Sequence, residues 1–440
     1  MPADPIIAQG LTSRFKHLLA RSLGIRDAEL VPAMLGMLMF LCLFTAIMSM
    51  RPVRETMGVA GGVRNLPWLF TGTFVATLLA MPVFGYLARR MSRHRLLAGL
   101  FSLFALNLLV FAVLIARDPH QVWVARSFYV WLSVFNLMAA SLIWSVLADV
   151  LVLDQAKRLF GLIAAGASAG GIVGPIVALQ VAHLGLAGIL VCAACCLFGS
   201  IAAAFALFRW RQRQPATSVA ADSPDRALGG SPLDGAAQVL RSRYLLGIAV
   251  FVLLLASVST FLYVDQARWV ERHFSDPNDR TEFFAHIDLV VQVLSILVQM
   301  FLAGRIAQSL GVVALLTALP VLMALGFLSL AIVPGFGLFV GVMVLRRAGE
   351  YALIRPGREM LFTTVPTAEK YKAKNFIDTV VYRAADALSS WLESALRAVE
   401  SVPWLAPLMG AAIAVIWAGT GRHLARTQAQ QSIRLPGAVQ

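Results

Sequence analysis

The sequence predicts an all-α integral membrane protein with twelve transmembrane helices in two six-helix halves. Three observations carry that expectation. Of 440 residues, 59% are hydrophobic and only 14% are charged, whereas soluble domains hold roughly a quarter charged residues. Mean hydropathy is +0.77. Apolar runs long enough to match the hydrocarbon core, about 20 residues each, recur along the whole chain. In lipid the backbone must satisfy its own polar groups, so only helices or closed barrels cross. Continuous rather than alternating runs select helices.

The spans fall near 31–50, 66–88, 96–116, 123–148, 159–182 and 186–208, then near 244–264, 284–303, 311–333, 335–354, 375–396 and 403–421. Residues 1–30 are polar and amphipathic, with no apolar core leading to a small-residue cleavage site, and read as a cytoplasmic N-terminal segment. The stretch 209–243, rich in Pro, Ser, Gly, Asp and Arg, reads as a solvated and mostly disordered cytoplasmic linker. Residues 422–440 read as a cytoplasmic tail. The domains are thus a half at 31–208 and a half at 244–421.

The net charge of +14 would suggest nucleic acid in a soluble protein. Here loop topology accounts for it, and no nucleic-acid partner is expected. With both termini inside, the inner segments collect 25 of the 37 Lys and Arg residues and the outer loops 9. That bias supports both termini in the cytoplasm, although Arg51 and Arg54 run against it. Cys42, Cys192, Cys195 and Cys196 all lie inside apolar runs and read as small buried hydrophobes, not as a disulfide or metal site. No phosphate loop, H-E-x-x-H or nucleophile elbow occurs, and the one C-x-x-C, Cys192 to Cys195, lies in a span without a matching His or Cys partner motif. The chain is therefore not expected to be an enzyme, nor to hold a metal or cofactor. Membrane lipids are its expected surroundings, and a monomer its expected functional unit.

Charges inside the membrane cost several kcal/mol unless paired or facing water, so each is a functional candidate. One cluster is Arg51, Arg54 and Glu55, where the 51-to-55 spacing allows an Arg–Glu pair on one helical face. A second is Arg346, Arg347 and Glu350, followed by Arg355, Arg358 and Glu359. A third runs through Lys370, Lys372, Lys374, Asp378, Arg383 and Asp386, with Lys374, Asp378 and Arg383 near one stripe. Asp149, Asp265 and Asp288 are isolated carboxylates. Guanidinium groups bind phosphates and carboxylates bidentately. A cavity lined by Arg54, Arg346 or Arg347, Arg383 and Lys374 would therefore suit an anionic small molecule. Interhelical ion pairs and gate locks with Glu55, Glu350, Asp378 and Asp386 are the alternative for any single residue, but the basic residues outnumber the acids available within the spans. Asp265, Asp288 and Asp386 read either as proton relays, with protons the coupling ion, or as structural partners of arginines. In "GLIAAGASAGGIVGP" (161–175), small residues at 166, 170 and 174 fit close packing of a fifth helix, with a phosphate cradle the weaker reading.

Two loops carry a resemblance. "GYLARRMSRHRL" (85–96) is similar to the G-x-L-x-x-R-x-x-R loop of the major facilitator superfamily, and "GRIAQSLG" (304–311) stands at the equivalent place in the second half. Four further stretches resemble the nucleotide transporter family, the ATP/ADP translocases of plastids and intracellular bacteria. They are "MRPVRETMGV" (50–59), "SLIWSVLADVLVLDQAKRLFGLIAAGAS" (141–168), "RPGREMLFTTVP" (355–366) and "KAKNFIDTVVYR" (372–383). The resemblance implies a major-facilitator-like fold and nucleotide exchange. It places a substrate-binding basic residue at Arg54 and another at Lys372 or Lys374. Two acids of the family fall on Ser133 and on Tyr263, or on Asp265 if the register slips by two. The expected function is a secondary transporter working by alternating access on an anionic solute, a nucleotide or phosphate-bearing metabolite first. Its alternatives are a proton-coupled transporter of another anion, such as a cell-wall-derived sugar or peptide, and a non-transporting membrane partner on the same fold. Substrate-binding candidates are Arg51, Arg54, Glu55, Arg346, Arg347, Glu350, Arg358, Lys372, Lys374, Asp378 and Arg383. The coupling candidates are Asp265, Asp288 and Asp386.

Overall fold

The structure, a computed structural model, describes residues 26, 29–151, 153–213, 232–398, 402 and 404–434. Most of the expected N-terminal segment, residues 214–231 of the linker, the Asp149 side chain and the tail beyond 434 lie outside the described residues. The described residues form helices throughout: α1 Leu30–Ala60, α2 Leu66–Arg90, α3 Arg93–Arg117, α4 Val122–Val150, α5 Leu153–Val181, α6 Gly185–Gln212, α7 Pro232–Arg241 and α8 Arg243–His273. They continue as α9 Pro277–Val298, α10 Gly304–Ile332, α11 Phe336–Gly349, α12 Arg355–Leu361, α13 Thr367–Phe376, α14 Tyr382–Arg397 and α15 Leu405–Arg434.

Among the described residues, eight stretches are long and apolar enough to cross a membrane. Two of them, Arg158–Gln212 and Pro277–Ile332, run 55 and 56 residues and each holds more than one helix. A 3₁₀ turn at Ala182–Leu184 separates α5 from α6. In the second, the helix continues through the expected loop 304–310 and breaks instead at Gly311, whose φ of 71° suits only a residue without a Cβ. The expected spans near 335–354 and 375–396 are absent from the eight. Their charges thin the apolar content, and π-helical turns at Glu350–Ile354 and Ile377–Val381 interrupt them. Such turns concentrate at functional sites.

Contacts gather the chain into two compact units. One holds α1 through Arg51, Tyr86–Val113 and the described residues from Phe135 to Arg213. The other holds Pro52–Gly85, Leu114–Val134 and the described residues beyond 231. In the first unit the glycine stripe of α5 lies directly on α1. A Cβ on Gly166 would stand 2.3 Å from the Met37 carbonyl oxygen, one on Gly170 2.7 Å from that of Leu41, and one on Gly174 2.5 Å from Met48 Cβ. Small residues every fourth position thus let two backbones meet, which in lipid substitutes for hydrophobic driving force. Ser200 of α6 donates to the Met39 carbonyl at 3.0 Å. At the head of this contact Arg158 binds Glu29 at 2.5 Å, and that hydrogen bond holds the Glu29 carboxyl below its ordinary range. Gly170→Val should lower the melting temperature, because the obstructing atoms are main chain and cannot turn aside; about 1–3 kcal/mol is expected. A differential scanning measurement in detergent reads the shift.

The second unit is built around α8, whose buried residues run from Leu245 to Val270. α14 shows why it packs there. Its buried face carries Asp386, Ser389, Ser390 and Glu393 at intervals of three and four, while Leu388, Trp391 and Leu392 are exposed. That inverts the amphipathicity of a soluble surface helix, as expected where the outer solvent is lipid. The end of the expected disordered linker is instead the amphipathic helix α7. Gly235 brings it onto α13, where a Cβ would stand 2.3 Å from the Lys372 carbonyl oxygen. A sequence rich in small and polar residues reads as linker until such a docking partner is present. At the other end, α15 extends to Arg434, 13 residues past the expected boundary at 421.

Candidate functional site

The charged residues of the second unit assort by depth along α13 and α14. The inner group begins on α1. Arg54 Nη1 donates to Glu55 Oε1 at 3.1 Å, and its guanidinium carbon lies 4.1 Å above the centre of the Tyr129 ring of α4. Gly58, one turn on, makes room: a Cβ there would stand 3.0 Å from Tyr129 Cε2 and 3.2 Å from the Tyr263 hydroxyl oxygen of α8. Phe70 of α2 meets both tyrosines edge-on, with centroids 6.3 and 5.4 Å away.

Arg346 reaches the same helix α8. Its Nη1 donates to Ser259 Oγ at 2.6 Å and to Glu350 Oε2, at the start of the π turn, at 2.9 Å. Thr260, the next residue on α8, donates to Asp386 Oδ1 at 2.9 Å, while Arg383 Nη1 donates to Oδ2 at 3.4 Å. Asp386 lies within electrostatic reach of Arg54 and Glu350 as well. Three arginines, Arg54, Arg346 and Arg383, therefore share one neighbourhood with three carboxylates, Glu55, Glu350 and Asp386. Each of the three is held by an acid, and Arg355 lies 4.0 Å from the other oxygen of Glu350.

The other candidates are placed elsewhere. Arg347 is buried in an ion pair with Asp288 of α9. Arg358 lies 3.1 Å from Asp378, and Lys374 donates to both oxygens of Glu359 at 2.6 and 2.7 Å. Lys374 and Glu359 are the more solvated pair, 30% and 50% exposed, and eight residues of helix separate Asp378 from Asp386, about 12 Å at 1.5 Å per residue. Lys372 is exposed, and Arg51, half-buried, is the last α1 residue of the first unit. Along the stripe expected through Lys374, Asp378 and Arg383, each residue takes a different partner, Glu359, Arg358 and Asp386 respectively. The expected excess of basic residues over acids also gives way to pairing. Arg268, Arg397 and Glu393, which no sequence signal singled out, complete a buried quartet with Asp265. Arg397 binds Asp265 at 2.7 Å and Glu393 at 3.2 Å, and Arg268 Nη2 donates to Glu393 Oε2 at 2.9 Å.

The sequence profile of the Major Facilitator Superfamily matches residues 30–356. The chain belongs to that superfamily. Among curated proteins it is 23% identical over 460 aligned residues to "ADP,ATP carrier protein 1" of Chlamydia trachomatis serovar D, covering 86% of this chain and 84% of that one. The protein of the same name from Chlamydia muridarum matches at 23% over 453 residues, with the same coverage. Among solved structures it is similar in fold to the POT family transporter PepTSo, with a TM-score of 0.62, 14% identity and coverage of 91% of this chain and 98% of that one. The nucleoside transporter NupG gives 0.56 at 14%, covering 92% and 99%. A bacterial homologue of the iron transporter ferroportin, in its inward-facing state, gives 0.60 at 14%, covering 89% and 98%.

In this facilitator, the two positions where the translocase resemblance expects acids are occupied by neutral side chains that pack beside the inner group. Ser133 Oγ donates to the Tyr129 carbonyl at 3.3 Å. Tyr263 stands against Gly58, Tyr129 and Phe70. Asp265, two residues on, turns instead to Arg397 and Arg268. The facilitator's polar residues Ser259, Thr260 and Tyr129 were legible in sequence only as hydroxyls within apolar spans.

Proposed function

We propose that this protein is a secondary active transporter of an anionic solute, with a nucleotide or phosphate-bearing metabolite as leading substrate. The observation that carries the reading is the trio of arginines, each held by a neighbouring carboxylate. A phosphate or carboxylate entering there competes with Glu55, Glu350 and Asp386 for guanidinium groups that bind oxyanions in the same bidentate manner. Binding is thus an exchange of partners, and the displaced carboxylates either take up protons or find new partners as the protein changes state. The similarity to ADP,ATP carriers supports a nucleotide. We place the protein in the bacterial inner membrane, both termini cytoplasmic, acting as a monomer by alternating access.

A second reading, proton-coupled transport of another anion, is favoured by Asp386. Asp288 and Asp265 sit in closed ion pairs, whereas Asp386 shares a longer contact to Arg383 and a hydroxyl from Thr260. Asp386→Asn is expected to remove the response of uptake to a pH gradient. Asp265→Asn is expected to keep that response and to lower stability. Proteoliposome uptake with and without an imposed gradient checks both; the opposite pattern would exclude Asp386 as the coupling group.

The deciding experiment is a thermal-shift panel of purified protein against ATP, ADP, sugar phosphates and muropeptides. A ligand at 100 times its Kd stabilises the folded state by about 2.7 kcal/mol. A shift with ATP or ADP supports the leading substrate. A shift only with muropeptides or sugar phosphates replaces it. No shift with ATP or ADP demotes the nucleotide as leading substrate.

A further inference from the structure

We propose that Tyr129 is the positioning residue for Arg54, holding the guanidinium plane by its ring face. This rests on the reading of Arg54 as a substrate residue. Arg54 stands 4.1 Å above the ring centre, well inside the distance at which a guanidinium is attracted to an aromatic face. Tyr129 is 0% exposed, and the side of its ring that Arg54 covers is thereby closed to other partners. The ring is itself fixed. Phe70 stands edge-on to it at an interplanar angle of 80°, Tyr263 lies 6.5 Å away, and Gly58 leaves the space both phenols occupy.

The chemistry of the contact explains why a ring and not another acid does this. A carboxylate holding Arg54 consumes N–H donors and competes with an incoming oxyanion. A ring face consumes none of the five donors, fixes their plane and repels no anion bound at the edge. Glu55 is the exchangeable partner and Tyr129 the fixed one.

The test replaces residue 129 in the full chain by phenylalanine, then by mono-, di- and trifluorophenylalanine, in Arg54 and Arg54→Met backgrounds. Fluorine drains the ring face with little change in volume. Melting temperature of the purified protein and KM for ATP uptake in proteoliposomes are read across the series. Phenylalanine is expected to behave like the native residue. Successive fluorines should lower the melting temperature stepwise and raise KM by about tenfold overall, kcat moving less, as a desolvated cation–π contact requires. In Arg54→Met the steps should vanish. A flat melting series overturns the proposal whatever the substrate, and so does a sloping melting series with an unchanged KM. If ATP is not taken up, or if Arg54→Ala leaves KM unchanged, the substrate reading fails, and the melting series still decides the contact.

Discussion

Replacing Glu393 by alanine is expected to cost the folded protein about 3–5 kcal/mol, the effect of removing one partner from a buried ion pair. Glu393 is 0% exposed and is the carboxylate that Arg268 and Arg397 share. Without it, two partly buried guanidinium groups converge on Asp265 alone. The result is uncompensated positive charge in a largely buried cluster. A fall of several degrees in the melting temperature of detergent-purified protein checks this. The Arg268→Met, Glu393→Met double variant should recover part of the loss, since removing both partners is less harmful than stranding one. If the double variant is as unstable as the sum of the singles, the pair is not the unit of stabilisation.

Arg54→Ala is expected to reduce uptake by roughly 10–200-fold while the protein still inserts and folds. That range corresponds to the loss of one hydrogen-bonded charge, about 1.5–3 kcal/mol. Folding should survive because Glu55 keeps the Tyr263 hydroxyl as a hydrogen-bond partner. Arg54→Lys should fall between the two: an ammonium keeps the charge but not the planar fork or the stacking on Tyr129. Radiolabelled ATP uptake in proteoliposomes, normalised to protein that elutes as a single folded species, measures it. Uptake unchanged in Arg54→Ala would remove the inner group from the substrate path.

Much of this molecule was legible in its sequence, for reasons that differ by feature. Lipid imposes length and apolarity on each crossing, so the membrane class followed from composition. The Gly166, Gly170 and Gly174 contact followed from spacing, because in lipid only small residues let backbones meet. Arg54, Arg346 and Arg383 were visible as charges out of place. Their partners were not. The bond from Arg346 to Ser259 and that from Thr260 to Asp386 join residues 87 and 126 positions apart, and no local pattern encodes such distances. Arg268, Arg397 and Glu393 read as ordinary charges near span ends. The π turns at Glu350–Ile354 and Ile377–Val381 carry no signal of their own. The different surroundings of Tyr263, beside Gly58, and of Asp265, beside Arg397, were likewise hidden in sequence.

The quartet also bears on how the protein is made. Arg268 precedes Glu393 by 125 residues, so at ribosomal speed roughly 6–25 s separate their syntheses. During that interval α8 must enter the bilayer without α14. It does so with Asp265 and Arg268 three residues apart on one face, already 3.5 Å from each other. When α14 follows, Glu393 and Arg397 arrive four apart and 3.2 Å from each other. Each helix thus carries its own counter-ion through the translocon. Assembly then trades two private pairs for one shared network.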